Sequence, residues 1–239
     1  MAQYRLGVLG GMGPQATNTF YQFIIDRTAA RSDQEHVNAL ILSDVDMPDR
    51  TAAILGSDAE KEAVFQRLLA GARLLEGAGC TCIAVPCNTS HFFLDRVQDH
   101  IGIPILHMIR ETARLLASQG LRRPGILATD GTIRTGLYQK EFSAAGIGAA
   151  VPSPRAQELV MSLIYDDVKA GRDGDPQKFA AIHEDLLAQG CDCGVLACTE
   201  LSVFADKHHL PHFYTDAMAV LAQRAVEACH RPLRHIFIK

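Results

Sequence analysis

Gly79-Cys80-Thr81-Cys82-Ile83-Ala84-Val85-Pro86-Cys87-Asn88-Thr89-Ser90 returns later in the chain, at a constant offset of 111 residues, as Gly190-Cys191-Asp192-Cys193-Gly194-Val195-Leu196-Ala197-Cys198-Thr199-Glu200-Leu201. Glycine and three cysteines fall in register, and Leu75 matches Leu186 at the same offset. A Pro-led strand follows each copy, Pro104-Ile105-Leu106 in one half and Pro211-His212-Phe213 in the other. The physical reading is two similar α/β lobes facing each other across a pseudo-two-fold axis. Each lobe presents one strand end and one cysteine to a shared cleft, because clefts in α/β folds open at the carboxyl ends of strands.

Outward from the repeat, strand patterns alternate with helical ones. Residues 4–9 read as a buried strand, followed by the turn Gly10-Gly11-Met12-Gly13 and by Pro14 at a first helical position. Phe20, Phe23, Ile24 and Arg27 follow at helical spacing, and residues 37–42 read as a second strand. Residues 44–51 read as a loop. Ser57-Asp58-Ala59-Glu60 has the capping-box spacing, with Val64, Leu68, Ala72 and Leu75 as the apolar face beyond it and Gly77 and Gly79 at its end. Residues 80–86, 103–106 and 125–128 continue the strand series, and Asp175-Pro176 opens a helix that runs to Gly190. Alternation of this kind implies parallel βαβ units and an α/β fold. The expected division is a first lobe of residues 1–103 plus 211–239 and a second lobe of residues 104–210.

The chain has 239 residues, 48% hydrophobic and 21% charged, so it can bury a core without disulfides or a structural metal. Its net charge of −4 argues against nucleic acid as a partner. No apolar run is long enough to span a membrane, and the N-terminal residues lack signal-peptide zoning. Seven cysteines, an odd number in a chain that needs no staples, read as reduced thiols of a cytoplasmic protein.

Cys87 and Cys198 fall at strand ends, where a strand hands over to a helix. Helix N–H groups there are expected to lower a thiol pKa and to bind a substrate carboxylate. Cys80, Cys82, Cys191 and Cys193 lie near strand starts and read as small core residues, as does Cys229 in the last helix. Two symmetric thiols suit inversion of a carbon stereocentre. One thiolate removes a proton from one face, one thiol returns a proton to the other, and the roles exchange for the opposite enantiomer.

Other readings compete. Gly11-Met12-Gly13-Pro14-Gln15-Ala16 fits a dinucleotide fingerprint, with Asp44 placed to hold a ribose, which would make an NAD-dependent oxidoreductase. Pro14 removes an N–H that such a cradle needs. Six thiols could hold zinc, but C-x-C alternation on a strand fits that metal poorly. For a pyridoxal phosphate enzyme Lys169 is the lysine to consider, on what reads as an amphipathic helix. Arg50 reads either as a carboxylate clamp or as a loop anchor, and His91 as a packed helix residue rather than a base. A non-enzymatic small-molecule binding protein would have the same two lobes, and there both cysteines should tolerate serine.

Leu9-Gly10-Gly11-Met12-Gly13-Pro14, Met47-Pro48-Asp49-Arg50-Thr51, Pro86-Cys87-Asn88-Thr89-Ser90-His91, Ala128-Thr129-Asp130-Gly131-Thr132 and Ala197-Cys198-Thr199-Glu200 together resemble the cofactor-independent aspartate/glutamate racemase family. The resemblance implies two Rossmann-like lobes with the active site in the cleft between them. It implies a homodimer, a dicarboxylic amino-acid substrate, no cofactor and no metal. It makes Cys87 and Cys198 the acid/base pair. It assigns Asn88, Thr89 and Thr199 to the α-carboxylate and α-ammonium, Arg50 and Lys169 to the side-chain carboxylate, and Met12 and Thr132 to the pocket wall. Glu200 stands where dedicated glutamate racemases carry His, and Gly-Gly-Met-Gly where they carry an Asp-Ser pair. Both departures point to the aspartate-type branch and away from glutamate, hence to interconversion of L- and D-aspartate, with glutamate as the alternative substrate. Within the superfamily the alternatives are a hydantoin racemase or a maleate isomerase type, against which the Met47–Thr51 loop argues through the carboxylate clamp that Arg50 offers.

Overall fold

The computed structural model describes residues 4–234. The chain divides into two compact units, Met1–Met108 with Ala219–Lys239, and Ile109–Met218.

The first unit runs β1 (Leu6–Gly10), α1 (Pro14–Arg27), β2 (Ala39–Ser43), α2 (Arg50–Leu55), α3 (Asp58–Gly77), β3 (Cys82–Ala84), α4 (His91–Gln98) and β4 (Ile105–Leu106). Its sheet is parallel throughout, in the order β2-β1-β3-β4. β1 and β3 are buried along their whole length, as expected of central parallel strands covered on both faces. The chain leaves this unit at the start of α5 (Met108–Ser118). The second unit continues with β5 (Pro124–Leu127), α6 (Asp130–Thr135), α7 (Leu137–Ala144), α8 (Pro154–Ser162), a π-helical turn (Leu163–Val168), α9 (Pro176–Ala188), β6 (Cys193–Leu196), α10 (Thr199–His208) and β7 (Tyr214–Asp216). α11 (Ala217–Ala228) then carries the chain back into the first unit. The second sheet is also parallel, in the order β5-β6-β7. An isolated parallel bridge joins Ala150 to Gly125 on the other side of β5, so β5 is flanked as β1 is in its own sheet.

The repeat has a local explanation. Gly79 and Gly190 adopt φ of +80° and +72° just past the ends of α3 and α9. In the first copy Gly79 donates to Glu76 O and Cys80 to Leu75 O. In the second, Gly190 donates to Leu187 O and Cys191 to Leu186 O. Both are Schellman endings, in which the left-handed glycine lets two backbone amides turn back onto the last helical carbonyls. Leu75 with Cys80, and Leu186 with Cys191, occupy the two positions that this motif brings into contact. Cysteine rather than a larger residue is required because a strand glycine lies against each thiol. A Cβ on Gly7 of β1 would stand 3.2 Å from Cys80 Sγ, and one on Gly125 of β5 would stand 3.1 Å from Cys191 Sγ. Cys80, Cys82, Cys191, Cys193 and Cys229 are all buried.

A Cβ at Gly125 would also come within 2.6 Å of Leu186 Cδ2, whereas none of the three closest contacts at Gly7 is below 3.2 Å. Leu186 is fully buried and has little room to swing aside. Gly125→Ala is therefore expected to cost about 1–3 kcal/mol, and more than Gly7→Ala. Urea midpoints of the two variants check this; equal losses would remove the explanation given for the second copy.

The expected α/β class with parallel sheets is the observed one, and several local boundaries differ. β4 pairs with β3, so the first unit extends to Met108 rather than to residue 103. The later strand is Tyr214–Asp216, three residues beyond Pro211-His212-Phe213, and it belongs with β6, so the second unit extends to Met218 rather than to residue 210. The supposed loop at residues 44–51 ends in α2, which Asp49 caps by accepting the Ala52 amide at 2.7 Å. Two helix starts match the sequence pattern residue by residue. Ser57 and Glu60 form both halves of a capping box, and Asp175 caps α9 through the Gln177 amide.

Candidate active site

In the first unit the carboxyl ends of β1, β2 and β3 gather Met12, Arg50, Cys87, Asn88 and Thr89. All are buried. Gly11 turns the chain at φ +86°, where a Cβ would meet the Asp44 backbone at 2.4 Å, so the loops after β1 and β2 touch directly. Arg50, in the first turn of α2, ties them together. Its Nη1 donates to Pro48 O at 3.0 Å and to Met47 O at 3.5 Å, and its Nη2 donates to Met12 O at 3.1 Å. The loop-anchor reading of Arg50 thus has direct contacts. Ser90 Oγ donates to Met12 Sδ at 3.3 Å, which brings the loop after β3 into the same cluster.

Cys87 does not stand at a helix N-terminus, contrary to expectation. α4 begins at His91 with Ser90 as its cap, and the turn Asn88-Thr89-Ser90 intervenes. The Cys87 amide donates to Val85 O at 2.8 Å. Its carbonyl lies 2.9 Å from His91 Nδ1, and His91 Nε2 accepts the Met108 amide at 3.0 Å.

In the second unit Cys198 is the N-cap residue of α10, immediately before Thr199 and Glu200. Its thiol donates to Glu200 Oε2 at 2.8 Å, and the Thr199 hydroxyl reaches the same oxygen at 3.4 Å. Lys169 Nζ meets the other oxygen, Oε1, at 3.5 Å. The expected lowering of the Cys198 pKa by the helix is not what the site does. Burial raises it well above the ordinary thiol value, the Glu200 carboxylate adds to the rise by charge and by hydrogen bond, and Lys169 opposes it. A buried thiolate beside a carboxylate is doubly disfavoured, so Cys198 holds its proton.

Lys169 is not on a regular amphipathic helix. It follows the π-helical turn, and its own amide donates to Ile164 O, five residues back. Single π turns recur where a helix must re-aim a side chain. The turn is pinned by buried Asp167, which accepts Lys178 Nζ at 2.7 Å and Arg172 Nη2 at 3.2 Å. Thr132 lies in the first turn of α6 after β5, buried, with its hydroxyl 3.2 Å from that of the capping residue Thr129. Tyr138 and Asp216 were not singled out from sequence. Tyr138 is fully buried; burial raises its phenol pKa strongly, and the Asp216 carboxylate adds to the rise. Asp216, at the end of β7, accepts Ser202 Oγ at 2.7 Å and the Met218 amide at 2.8 Å. A carboxylate two residues past a strand start carries no distinguishing sequence signal.

The dinucleotide reading loses its donors and its acid. The Gly11 amide, which would face a pyrophosphate, donates to Thr17 Oγ1 at 2.8 Å, and Thr17 Oγ1 donates on to Gly13 O at 2.9 Å. Asp44 is taken by Arg67 through two bonds of 2.6 Å, which hold its carboxyl below the usual range. Among the described residues no three His, Cys, Asp or Glu side chains converge as a metal site would require. No helix among them is long and apolar enough to cross a membrane.

A family profile described as Asp/Glu/Hydantoin racemase matches residues 9–225. The chain is 27% identical over 225 residues to the broad specificity amino-acid racemase RacX of Bacillus subtilis (strain 168), covering 92% of this chain and 96% of that protein. It is 30% identical over 153 residues to a glutamate racemase of Picosynechococcus, covering 62% and 53% respectively. Among solved structures it is similar to Picrophilus torridus aspartate racemase, with a TM-score of 0.81 and 26% identity over 97% of this chain and 96% of that one.

Proposed function

This chain belongs to the Asp/Glu/Hydantoin racemase family, and from that premise we propose that it interconverts L- and D-aspartate, with glutamate as a second substrate, by cofactor-independent proton transfer between Cys87 and Cys198. The observation that carries the reading is the Cys198 thiol donating to Glu200, because a two-base racemase needs one thiol held as acid while the other acts as base. In one direction the Cys87 thiolate takes the Cα proton, breaking C–H and forming S–H. The Cys198 S–H then breaks as its proton bonds to Cα from the opposite face. Cys87 is left as thiol and Cys198 as thiolate, the form that takes up the product enantiomer and runs the reaction backwards. Glu200 makes that form the less stable of the two, so the free enzyme returns to protonated Cys198.

In this reading Asn88, Thr89 and Thr199 hold the α-carboxylate and α-ammonium, and Met12 and Thr132 line the pocket. Arg50 and Lys169 receive the side-chain carboxylate. An ammonium has three N–H donors, so Lys169 can serve Glu200 and a substrate carboxylate together. The seven cysteines are unpaired and buried, which suits a reducing compartment, and the proposal places the reaction in the cytoplasm. It includes a homodimer, to be read by light scattering.

The test is incubation of the wild-type protein with a panel of L-amino acids in deuterated water, followed by chiral chromatography and mass spectrometry. Deuterium at Cα of D-aspartate is the expected result. Exchange with other amino acids but not with aspartate would overturn the substrate, and exchange with none would overturn the racemase reading.

A further inference from the structure

We propose that His91 is a positioning residue for Cys87, acting as a neutral strap between the Cys87 carbonyl and the Met108 amide. Met108 has an N–H to donate, so His91 Nε2 accepts. The remaining ring proton is then on Nδ1, which donates to Cys87 O at 2.9 Å. Imidazole suits this task because it carries a donor and an acceptor on opposite edges of one rigid ring. His91 is 2% exposed, and Met108 is the first residue of α5, whose amide has no partner within its own helix. Because both ring nitrogens are bonded to backbone, the residue acts through Cys87 rather than on a substrate.

The second copy of the repeat shows why the first needs such a strap. Cys198 passes directly into α10, and its carbonyl accepts the Leu201 amide at 3.0 Å, so the helix fixes it. Cys87 lies beyond the end of β3 and four residues before the first residue of α4, with no helix to hold its carbonyl. His91 supplies that bond. The residue matching His91 at the offset of 111 is Ser202, which instead donates to Asp216. The repeat therefore diverges in its residues at the point where the two loops diverge in structure.

The inference rests on Cys87 being the base, and the experiment separates the two. The amide of asparagine reaches the position of Nδ1, and that of glutamine the position of Nε2. His91→Asn can keep the bond to Cys87 and lose Met108, while His91→Gln can keep Met108 and lose Cys87. Since small misplacements of a reacting group are costly, kcat for aspartate is expected to fall about 10- to 100-fold in His91→Gln but only about threefold in His91→Asn, with KM within about twofold in both. Hydrogen exchange at the Met108 amide should show the reverse order, faster in His91→Asn. A His91→Gln variant with wild-type kcat, or equal losses of kcat in the two variants, would overturn the proposal. A wild-type protein that exchanges no Cα proton would overturn the racemase reading and this inference together, whereas an active wild type with the wrong variant order would overturn this inference alone.

Discussion

Cys198→Ala is expected to abolish racemisation in both directions, with a loss of at least about 10³-fold, and Cys87→Ser to do the same. The two substitutions are not equivalent in what they leave behind. Cys198→Ala keeps Cys87 as base, so the enantiomer that Cys87 faces should still exchange its Cα proton with solvent slowly, without inversion. Cys87→Ser keeps the acid but replaces the base by a hydroxyl, which does not ionise near neutral pH, so exchange should cease for that enantiomer. Chiral analysis in deuterated water separates these outcomes, and circular dichroism should confirm an unchanged α/β fold. Racemisation at the wild-type rate in either variant would rule out two-base transfer. Both cysteines belong to apolar cores, Cys87 to that of the first unit with Met12, Met47 and Val85 and Cys198 to that of the second with Leu127 and Leu163. Same-size or smaller replacements there should be tolerated by the packing.

Removing the charge of Glu200 should give the second large effect, on pH dependence. In the proposed scheme activity falls at alkaline pH when Cys198 loses the proton that it must deliver. Burial and the Glu200 carboxylate raise the Cys198 pKa, so they push the alkaline fall to higher pH. Glu200→Gln removes the charge and leaves Lys169, which lowers the pKa, opposed by burial alone. The alkaline limb of kcat should therefore move to lower pH, with a loss of about tenfold or more on that side and an unchanged acid limb. Lys169→Met should move the same limb in the opposite direction, whatever it does to KM. Limbs that stay fixed in both variants, or that move together, would show that Glu200 and Lys169 do not set the Cys198 proton.

The parts of the fold that the sequence revealed are those whose chemistry is local. Ser57 with Glu60, Asp175 with Pro176, and Leu75, Gly79 and Cys80 with their later counterparts are each confined to a few residues. Each satisfies helix-end groups that have no other partner, so spacing alone betrays them. The same logic located the two cysteines, because a parallel strand delivers its last residues to one edge of the sheet. It misjudged their surroundings. Cys87 and Cys198 match in the repeat, yet one lies in a turn and the other caps a helix, and nothing within the aligned dozen residues fixes where each helix begins. The π-helical turn before Lys169 was invisible for a similar reason. Leu163–Val168 has an ordinary helical composition, and the widened turn is held by Asp167 reaching Lys178, eleven residues on.

By itself the sequence determined the α/β class, the alternation of strands and helices, the internal duplication and the matching places of Cys87 and Cys198 in its two copies. All of these follow from periodicity, from helix-end chemistry and from repetition along the chain. The tertiary structure decided what each side chain meets: Arg50 on Met12 O, 38 positions away, Lys169 on Glu200, 31 positions away, and β4 and β7 beside the strands that claim them. It also decided that Cys198 keeps its proton, because a pKa is set by burial and by neighbouring charge, and those neighbours are assembled by folding rather than by adjacency in the chain.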